Sequence, residues 1–476
     1  MGKDNEKEMS PELRELFHKA GFFESFKLGD IWTKLSAVIM GLGCLVRGQI
    51  ARGLIFLSFE GLFIWYMIFK GGYWLSMLPS LGKQGPTKEQ VEVLDELVEI
   101  TTYHDNSFKI LLYSILTLFL ILAFIMTLMA SVKMSYDAQY KLQRGKKINY
   151  FKDDLKSLID ESFYKTLLSL PVLGITIFTF MPMVFMILIA FTNYDGTHDG
   201  YANNLFTWVG LTNFKTMFTS SGGSGSYFSI FMGILGWTIV WAFFATFSNY
   251  ILGILVALMI NKKGIKFKKM WRTILVMTIA IPQFISLLYV SKMFSKSGII
   301  NGLLVNTLGW LSEPYDFFGS PMSARIMVIV LNIWIGIPYL VLIATGILMN
   351  IPADLYEASR IDGANPVQQF RYITMPYMLF VTAPYLLTSF TGNMNNFNVI
   401  YLLTGGGPIN TNASSAAGSV GHTDLLITWV FKIAQGTDSL YYMASVIGIA
   451  IFVIVSIITL SIYNRLGSNK NEGDMA

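Results

Sequence analysis

Six residues in two long apolar runs have the types and spacing to hold a small solute without making or breaking a bond. Asn332, Ile335, Gly336 and Tyr339 stand at i, i+3, i+4 and i+7, one face of a helix that Pro338 is expected to distort. In the following run Asn393 and Asn396 are three apart and share a face, with Asn395, Phe397 and Asn398 around them. A carboxamide carries a donor and an acceptor together, which matches a hydroxyl. Aromatic faces can lie against the C–H faces of a sugar ring. Such a lining suits an uncharged, multiply hydroxylated solute. Amides also hold membrane helices to one another, and the spacing leaves both readings open.

Other chemistries lack their residues. There is no G-x-x-x-x-G-K-[ST] to cradle ATP phosphates. His18, His104, His198 and His422 are scattered, with no metal-ligand spacing, and no convergent nucleophiles and acids mark an enzyme. The single cysteine, Cys44, excludes an internal disulfide. Glu60 is the one acidic residue well inside an apolar run, either a pore residue or one paired with a neighbour. Ion-coupled carriers place ionisable groups at membrane depth, so energy is expected to come from an ATP-hydrolysing partner.

A second polar segment separates the two runs: Glu357-Ala358-Ser359-Arg360-Ile361-Asp362-Gly363, then Ile373-Thr374-Met375-Pro376. Asn350 can cap a helix with Pro352 at its second position, and Gly363 suits the left-handed residue that ends it. Asn365-Pro366 restarts a helix, with Asn as cap and Pro at the first position. The expectation is two short helices about a glycine turn, the second closed by Pro376. Small residues at 358 and 359 would let another surface approach, with Glu357 and Arg360 at its edge.

The elements that position these groups cross a membrane. Hydrophobic residues make up 53% and charged residues 14% of the 476, with a mean hydropathy of +0.52, against about 25% charged in a soluble domain. Runs long enough for a ~30 Å hydrocarbon core lie near 51–69, 108–132, 166–192, 230–260, 273–292, 326–349, 377–403 and 442–463. Residues 28–46, interrupted by Asp30 and Lys34, read as an interfacial or re-entrant helix, the alternative being a ninth span. Lys and Arg crowd 133–165 and 261–272, whereas 193–229 has only Lys215 and 405–441 only Lys432. The positive-inside rule then makes the crowded connections, the 350–376 loop and both termini cytoplasmic. The net charge of +5 is this bias and not a nucleic-acid footprint. Met1–Lys27 lacks the apolar core of a cleaved signal peptide, and the acidic stretch 84–107 reads as a small extracytoplasmic helix.

The 357–376 segment resembles the EAA loop of binding-protein-dependent ABC importers: E-A-A, three residues, G, nine residues, I-x-L-P, with Ser359 for the second Ala and Met375 for the Leu. From about 166 onward the chain resembles MalF-type permease subunits of maltose and maltodextrin importers. The matching stretches are Asn332-Ile333-Trp334-Ile335-Gly336-Ile337-Pro338-Tyr339, Ser389 to Phe397, Leu402-Leu403-Thr404-Gly405-Gly406-Gly407-Pro408 and Thr423-Asp424-Leu425-Leu426. The resemblance implies that Asn332, Ile335, Gly336, Tyr339, Asn393 and Asn396 line a sugar site midway through the membrane. It implies that Glu357, Ala358, Ser359, Asp362, Gly363, Ile373 and Pro376 couple to an ATPase. Two departures stand out. Gly392 replaces an aromatic residue of the enterobacterial subunit, which leaves the sugar open. The 193–229 loop is far shorter than the domain inserted there, which leaves shorter loops to meet the binding protein and implies a bacterium without an outer membrane.

The resulting expectation is an all-α polytopic membrane protein of about eight transmembrane helices, with the type I ABC importer permease fold and cytoplasmic EAA coupling helices. Residues 1–50 would form a cytoplasmic N-terminus with an interfacial helix, 51–165 a helix pair and connection, 166–465 the permease domain and 466–476 a tail. The chain would hold no cofactor, metal or nucleic acid and catalyse nothing, ATP and Mg being bound by the partner ATPase. Implied partners are a second permease subunit, ABC ATPase subunits, an extracytoplasmic sugar-binding protein, an oligosaccharide and membrane lipid, in a bacterial plasma membrane. The alternatives are the same architecture for another solute, such as glycerol phosphate, and an ion-coupled secondary sugar carrier.

Overall fold

The computed structural model describes residues 21–93, 96–219, 226–262, 264–411 and 419–464. They form two compact units, one of Met1–Ile189 with Thr197–Trp208 and one of Ala190–Gly196 with Val209–Ala476. The expected cytoplasmic tail 466–476 lies outside the described residues.

In the first unit the segment expected as an interfacial, re-entrant or ninth helix breaks into pieces too short to cross. These are α1 (Phe22–Leu28), α2 (Ile31–Leu35) and α3 (Leu42–Val46), turned at Gly41 with φ 79°. The long helices are α4 (Ile50–Met77), α5 (Ser107–Gln143), which starts at an Asn106 cap, and, after the short α6 (Phe151–Ile159), α7 (Phe163–Ile189). At about 1.5 Å per residue the 37-residue α5 is roughly 55 Å long, so its polar last turns extend beyond a hydrocarbon core.

Those last turns hold the short pieces through polar bonds. Thr33 Oγ1 donates to Gln139 Oε1 at 3.1 Å, and Gly41 N to Ser131 Oγ at 2.8 Å. Arg47 donates to Ser135 Oγ at 2.7 Å and pairs with Asp30 at 2.6 Å. Met40 N donates to the Glu60 carboxylate at 2.7 Å, so Glu60 is paired with a neighbour. Arg52 grips Asp154 with two nitrogens, and Gln49 Nε2 donates to Asn149 O. Apolar α2 and α3 are thus fastened to the basic 133–165 connection by satisfied polar groups, the condition under which non-spanning backbone is stable near lipid.

The stretch 84–107 is not a helix. β1 (Thr87–Val93) pairs antiparallel with β2 (Glu96–Thr102), Gln90 opposite Glu99 and Val91 opposite Val98. The acidic residues suggested a solvated helix. They alternate with Val91, Val93, Val98 and Ile100, and period two with β-branched residues is the strand signal. The Tyr103 ring stacks on Tyr201 at 4.7 Å, and Trp208 Nε1 donates to Leu78 O.

The second unit holds α8 (Thr212–Thr219), α9 (Tyr227–Asn261), α10 (Lys268–Ile279), α11 (Gln283–Met293) and α12 (Pro321–Leu348). They are followed by α13 (Ala353–Ile361), α14 (Pro366–Met394), α15 (Phe397–Thr404), α16 (Leu426–Gln435) and α17 (Tyr441–Tyr463). Among the described residues seven helices are long and apolar enough to span, or eight if α10 and α11 count as one. The expected span 273–292 is this pair, bent by 90° where Pro282, lacking an N–H, interrupts the ladder. The expected span 377–403 also breaks, at Asn395, and α15 follows as a separate helix. Pro338 leaves α12 an unbroken α-helix.

Helix α9 is the axis of this unit. Of its most apolar window 39% is buried, against 6% in α4 or α7, whose sides are left to lipid or partners. Trp241, Ala242 and Ala245 pack with Val328, Leu331, Val399 and Ile400, and Tyr250, Ile254 and Ala257 with Leu340, Val341, Ala344 and Met378. At the N-terminal end of α12, Arg325 lies over the Trp237 ring and donates to His422 O at 2.8 Å. Next to it the buried Asp424 accepts from Gly421 N and from Lys432 and Thr428, with left-handed Gly406 against its carboxylate. Burial pushes the Asp424 carboxyl up, against the opposing pull of Lys432.

The Arg47 fastening is testable. Arg47→Met leaves Asp30 and Ser135 without their shared donor in a half-buried site, a loss of about 1–3 kcal/mol. A lower thermal unfolding temperature of the detergent-purified protein is expected. Lys88→Met, at the exposed Lys88–Glu99 pair, should give no resolvable change.

Candidate solute site and docking loop

Three helices bring the amides together. Small residues let α9 and α12 approach closely. A Cβ on Gly253 of α9 would lie 2.6 Å from Leu340 Cβ. A Cβ on Gly336 of α12 would lie 2.5–2.8 Å from Nδ2, Cγ and Oδ1 of Asn249 on α9. Each glycine is the socket for a side chain of the other helix.

Helix α14 brings its C-terminal end to the same stretch of α9. Trp241 Nε1 donates to Asn393 O, and Asn393 Nδ2 to Thr246 Oγ1, both at 3.0 Å. Asn393 and Asn396 do not share a helical face, because α14 stops at Met394. Asn396 is instead the N-cap of α15, accepting from Val399 N at 3.2 Å. Its Nδ2 still reaches Asn393 Oδ1 at 3.3 Å, so the break joins the two amides by another route. The likeness to an uninterrupted run failed because apolar residues resume at Val399, which hides an Asx cap inside a hydrophobic stretch.

Asn332, Ile335, Gly336 and Tyr339 do share a face of α12. Asn332 is 6% exposed, Ile335 and Gly336 half-buried, and Tyr339 exposed, its ring 6.4 Å from that of Tyr385. Asn393 and Asn396 are half-buried. The amides differ in what they already hold. Those of Asn393 and Asn396 are engaged within the chain, whereas Asn332 Nδ2 is buried without a hydrogen-bond partner among the described residues. Such a donor is rare in a folded protein. None of these side chains carries a charge. Among the described residues no group of His, Cys, Asp and Glu could hold a metal ion.

Beyond the other end of α12, α13 and α14 form a helix–turn–helix. Helix α13 starts after Pro352 at the cap position, so Asn350 is not its cap; the Asn350 N–H instead closes the end of α12 on Ile347 O. Gly363 has φ 79°, with Ala364 N donating to Ser359 O and Gly363 N to Arg360 O, the Schellman arrangement. Asn365 and Gln368 cap each other's backbone at 2.8 and 2.9 Å. Pro376 does not close the second helix. The π-helical turn Phe370–Thr374 absorbs the proline, and α14 runs on to Met394, 29 residues in all. Ser359 does more than keep its position small, since its hydroxyl accepts from Gln369 Nε2 at 2.9 Å; Tyr356 OH also pairs with Thr374 Oγ1. Glu357, Ala358, Asp362, Gly363 and Pro376 are exposed and Ile373 half-buried. Ile361 at 87%, Val367 at 73% and Tyr372 at 69% exposure form an apolar surface beside them.

Sequence reasoning missed Trp241, Thr246 and Asn249. Thr246 and Asn249 were visible as polar residues in the 35-residue α9, but so were Ser229, Thr238, Ser248 and Asn261, and nothing local set the two apart.

Known proteins agree with this architecture. The profile of the binding-protein-dependent transport system inner membrane component matches residues 249–470. The chain is 33% identical to the maltodextrin transport system permease protein MdxF of Bacillus subtilis (strain 168), over 92% of this chain and 96% of that one. It is 31% identical to the galactooligosaccharides transport system permease protein GanP of the same organism, over 92% and 98%. A bacterial ABC transporter involved in the import of the acidic polysaccharide alginate shares the fold, with a TM-score of 0.51 and 22% identity over 65% of this chain and 96% of that one. The chain therefore belongs to the binding-protein-dependent transport system inner membrane components, as a permease subunit of an ABC importer.

Proposed function

We propose that this permease carries a neutral oligosaccharide of the maltose and maltodextrin type, held by Asn332, Ile335, Gly336, Tyr339, Asn393 and Asn396. The observation that carries the reading is the unpartnered, buried Nδ2 of Asn332 within an uncharged lining. A sugar hydroxyl can accept from it, and an anionic solute would find no cation there. The same lining argues against glycerol phosphate.

The helix–turn–helix is the docking element for ABC ATPase subunits, which bind ATP and Mg. Its exposed Glu357, Ala358 and Asp362 and the apolar surface of Ile361 and Val367 offer an uncovered face of mixed charge and hydrophobicity. Bonds from Ser359 and Tyr356 brace α13 against α14, and α14 runs unbroken to the Asn393 region. At about 1.5 Å per residue that is roughly 40 Å. Closure of the ATPases would tilt α14 as a lever and reshape the amide site between inward- and outward-open states. A second permease subunit faces the exposed sides, and a sugar-binding protein delivers solute from outside. The basic connections, the docking loop and both termini lie in the cytoplasm of a bacterium, and 166–465 form the permease domain.

Three outcomes test this reading. Gly363→Val places a β-branched residue at positive φ, costing of order 1–3 kcal/mol. No atom crowds the position, so the strain is purely local. Pull-down with the ATPase, or sugar-stimulated ATP hydrolysis, should drop; wild-type values in both would remove the loop from docking.

In proteoliposomes of the assembled complex, maltotriose uptake should persist when ion gradients are collapsed and internal ATP is kept. Arrest by ionophore would instead support the ion-coupled carrier.

Asn332→Leu removes a buried donor that has no partner among the described residues, so protein stability should hold or rise while the KM for maltotriose rises about tenfold. An unchanged KM would make the α12 amide a helix contact alone.

A further inference from the structure

One buried acceptor near the site has no role in the family resemblance. Asn249, in the middle of α9, is 7% exposed. Its Nδ2 donates to Ala245 O at 2.9 Å on its own helix, and its Oδ1 is buried without a partner among the described residues. Turning the amide over would set Oδ1 against the Ala245 carbonyl, so the donor side is fixed and the free acceptor faces away from it.

Helix glue does not explain this amide. An amide that fastens two membrane helices bonds a group on its neighbour. Asn249 instead lies against Gly336, which has no side chain to offer. One turn earlier on the same face of α12 stands Asn332, with its unpartnered donor. The two amides do not bond each other. Each keeps one buried polar atom without a partner among the described residues, an acceptor on Asn249 and a donor on Asn332. A hydroxyl can donate to the first and accept from the second.

We propose that Asn249 is a further solute-binding residue, its Oδ1 accepting from a hydroxyl of the transported carbohydrate. Gly336 is then a glycine because any Cβ would displace the Asn249 amide, so its role in the site is to admit Asn249. This inference rests on the sugar-site reading and adds a specificity contact from a third helix.

The test uses the full complex in proteoliposomes with radiolabelled maltotriose. Asn249→Ala removes the acceptor. Asn249→Ser keeps a hydroxyl that can bond Ala245 O but is too short to lie across Gly336. Both should raise KM about tenfold with the maximal rate within about twofold. Gly336→Ala alone should lower complex yield, and Gly336→Ala with Asn249→Ala should recover the yield while keeping the raised KM. A wild-type KM in both Asn249 variants, with Asn332→Leu raised, would overturn the inference and leave the sugar site standing. A wild-type KM in all three would overturn the sugar-site reading itself. If Asn249→Ala does not assemble, Asn249→Ser decides by its KM. Failure of both to assemble would show that the amide is structural, and the inference falls.

Discussion

The close approach of α9 and α12 is the constraint on which the second unit depends. Two glycines set it, Gly253 under Leu340 and Gly336 under Asn249, one on each helix and each filled from the other. Lipid gives apolar side chains no reason to leave it, so association in a membrane relies on tight packing and hydrogen bonds. A methyl group at either glycine would push the helices apart. It would also shift what hangs on them, since Trp241, Thr246 and Tyr250 of α9 bind Asn393 and Thr382 of α14. The amide site is therefore a by-product of how these helices are joined, not a feature added to a finished bundle.

The polar clusters at the ends of the helices serve a different purpose. Asp424, Lys432, Thr428 and Gly421 close one end, and Asp30, Arg47, Thr33, Ser135 and Gln139 hold the short helices of the first unit. Irregular backbone near lipid persists only where its polar groups find partners. Both clusters meet that condition with a charge pair surrounded by hydroxyl and backbone donors. The glycine run at 405–407 follows from it, because Gly406 must pass against the Asp424 carboxylate at positive φ.

Much of this was legible in the sequence, and the misses have separate physical causes. Hydropathy found the long helices, and Gly363 and Asn365 announced the turn between α13 and α14 through backbone rules that act locally. Hydropathy is blind to direction, so it read α10 and α11 as one span although Pro282 bends them by 90°. It also joined α14 to α15 across the Asn396 cap. At 84–107 acidic residues outweighed a period-two alternation that pointed to the hairpin. At Pro376 a local rule misled, because a π turn lets the helix continue past the proline. Asn249 escaped for another reason. Its importance lies in a contact with a glycine 87 positions away in sequence, and no local pattern encodes that distance.

An uncharged site with unsatisfied amides also fits the work of a carrier. A charged group would bind an ionic solute strongly, and a fully satisfied network would resist rearrangement. Amides in contact with glycine and with a helix break avoid both extremes. Asn396 donates to Asn393 across the break between α14 and α15, where the backbone can adjust without disturbing a ladder of helical bonds. Asn332 and Asn249 sit on the closely packed α9–α12 contact, each with one buried polar atom without a partner among the described residues. If the 29-residue α14 acts as the proposed lever, a site built half on the α9–α12 contact and half on its end can change shape when the far end moves. On the proposed reading, the wall would set which hydroxyl pattern is recognised, and the movable edge when it is released.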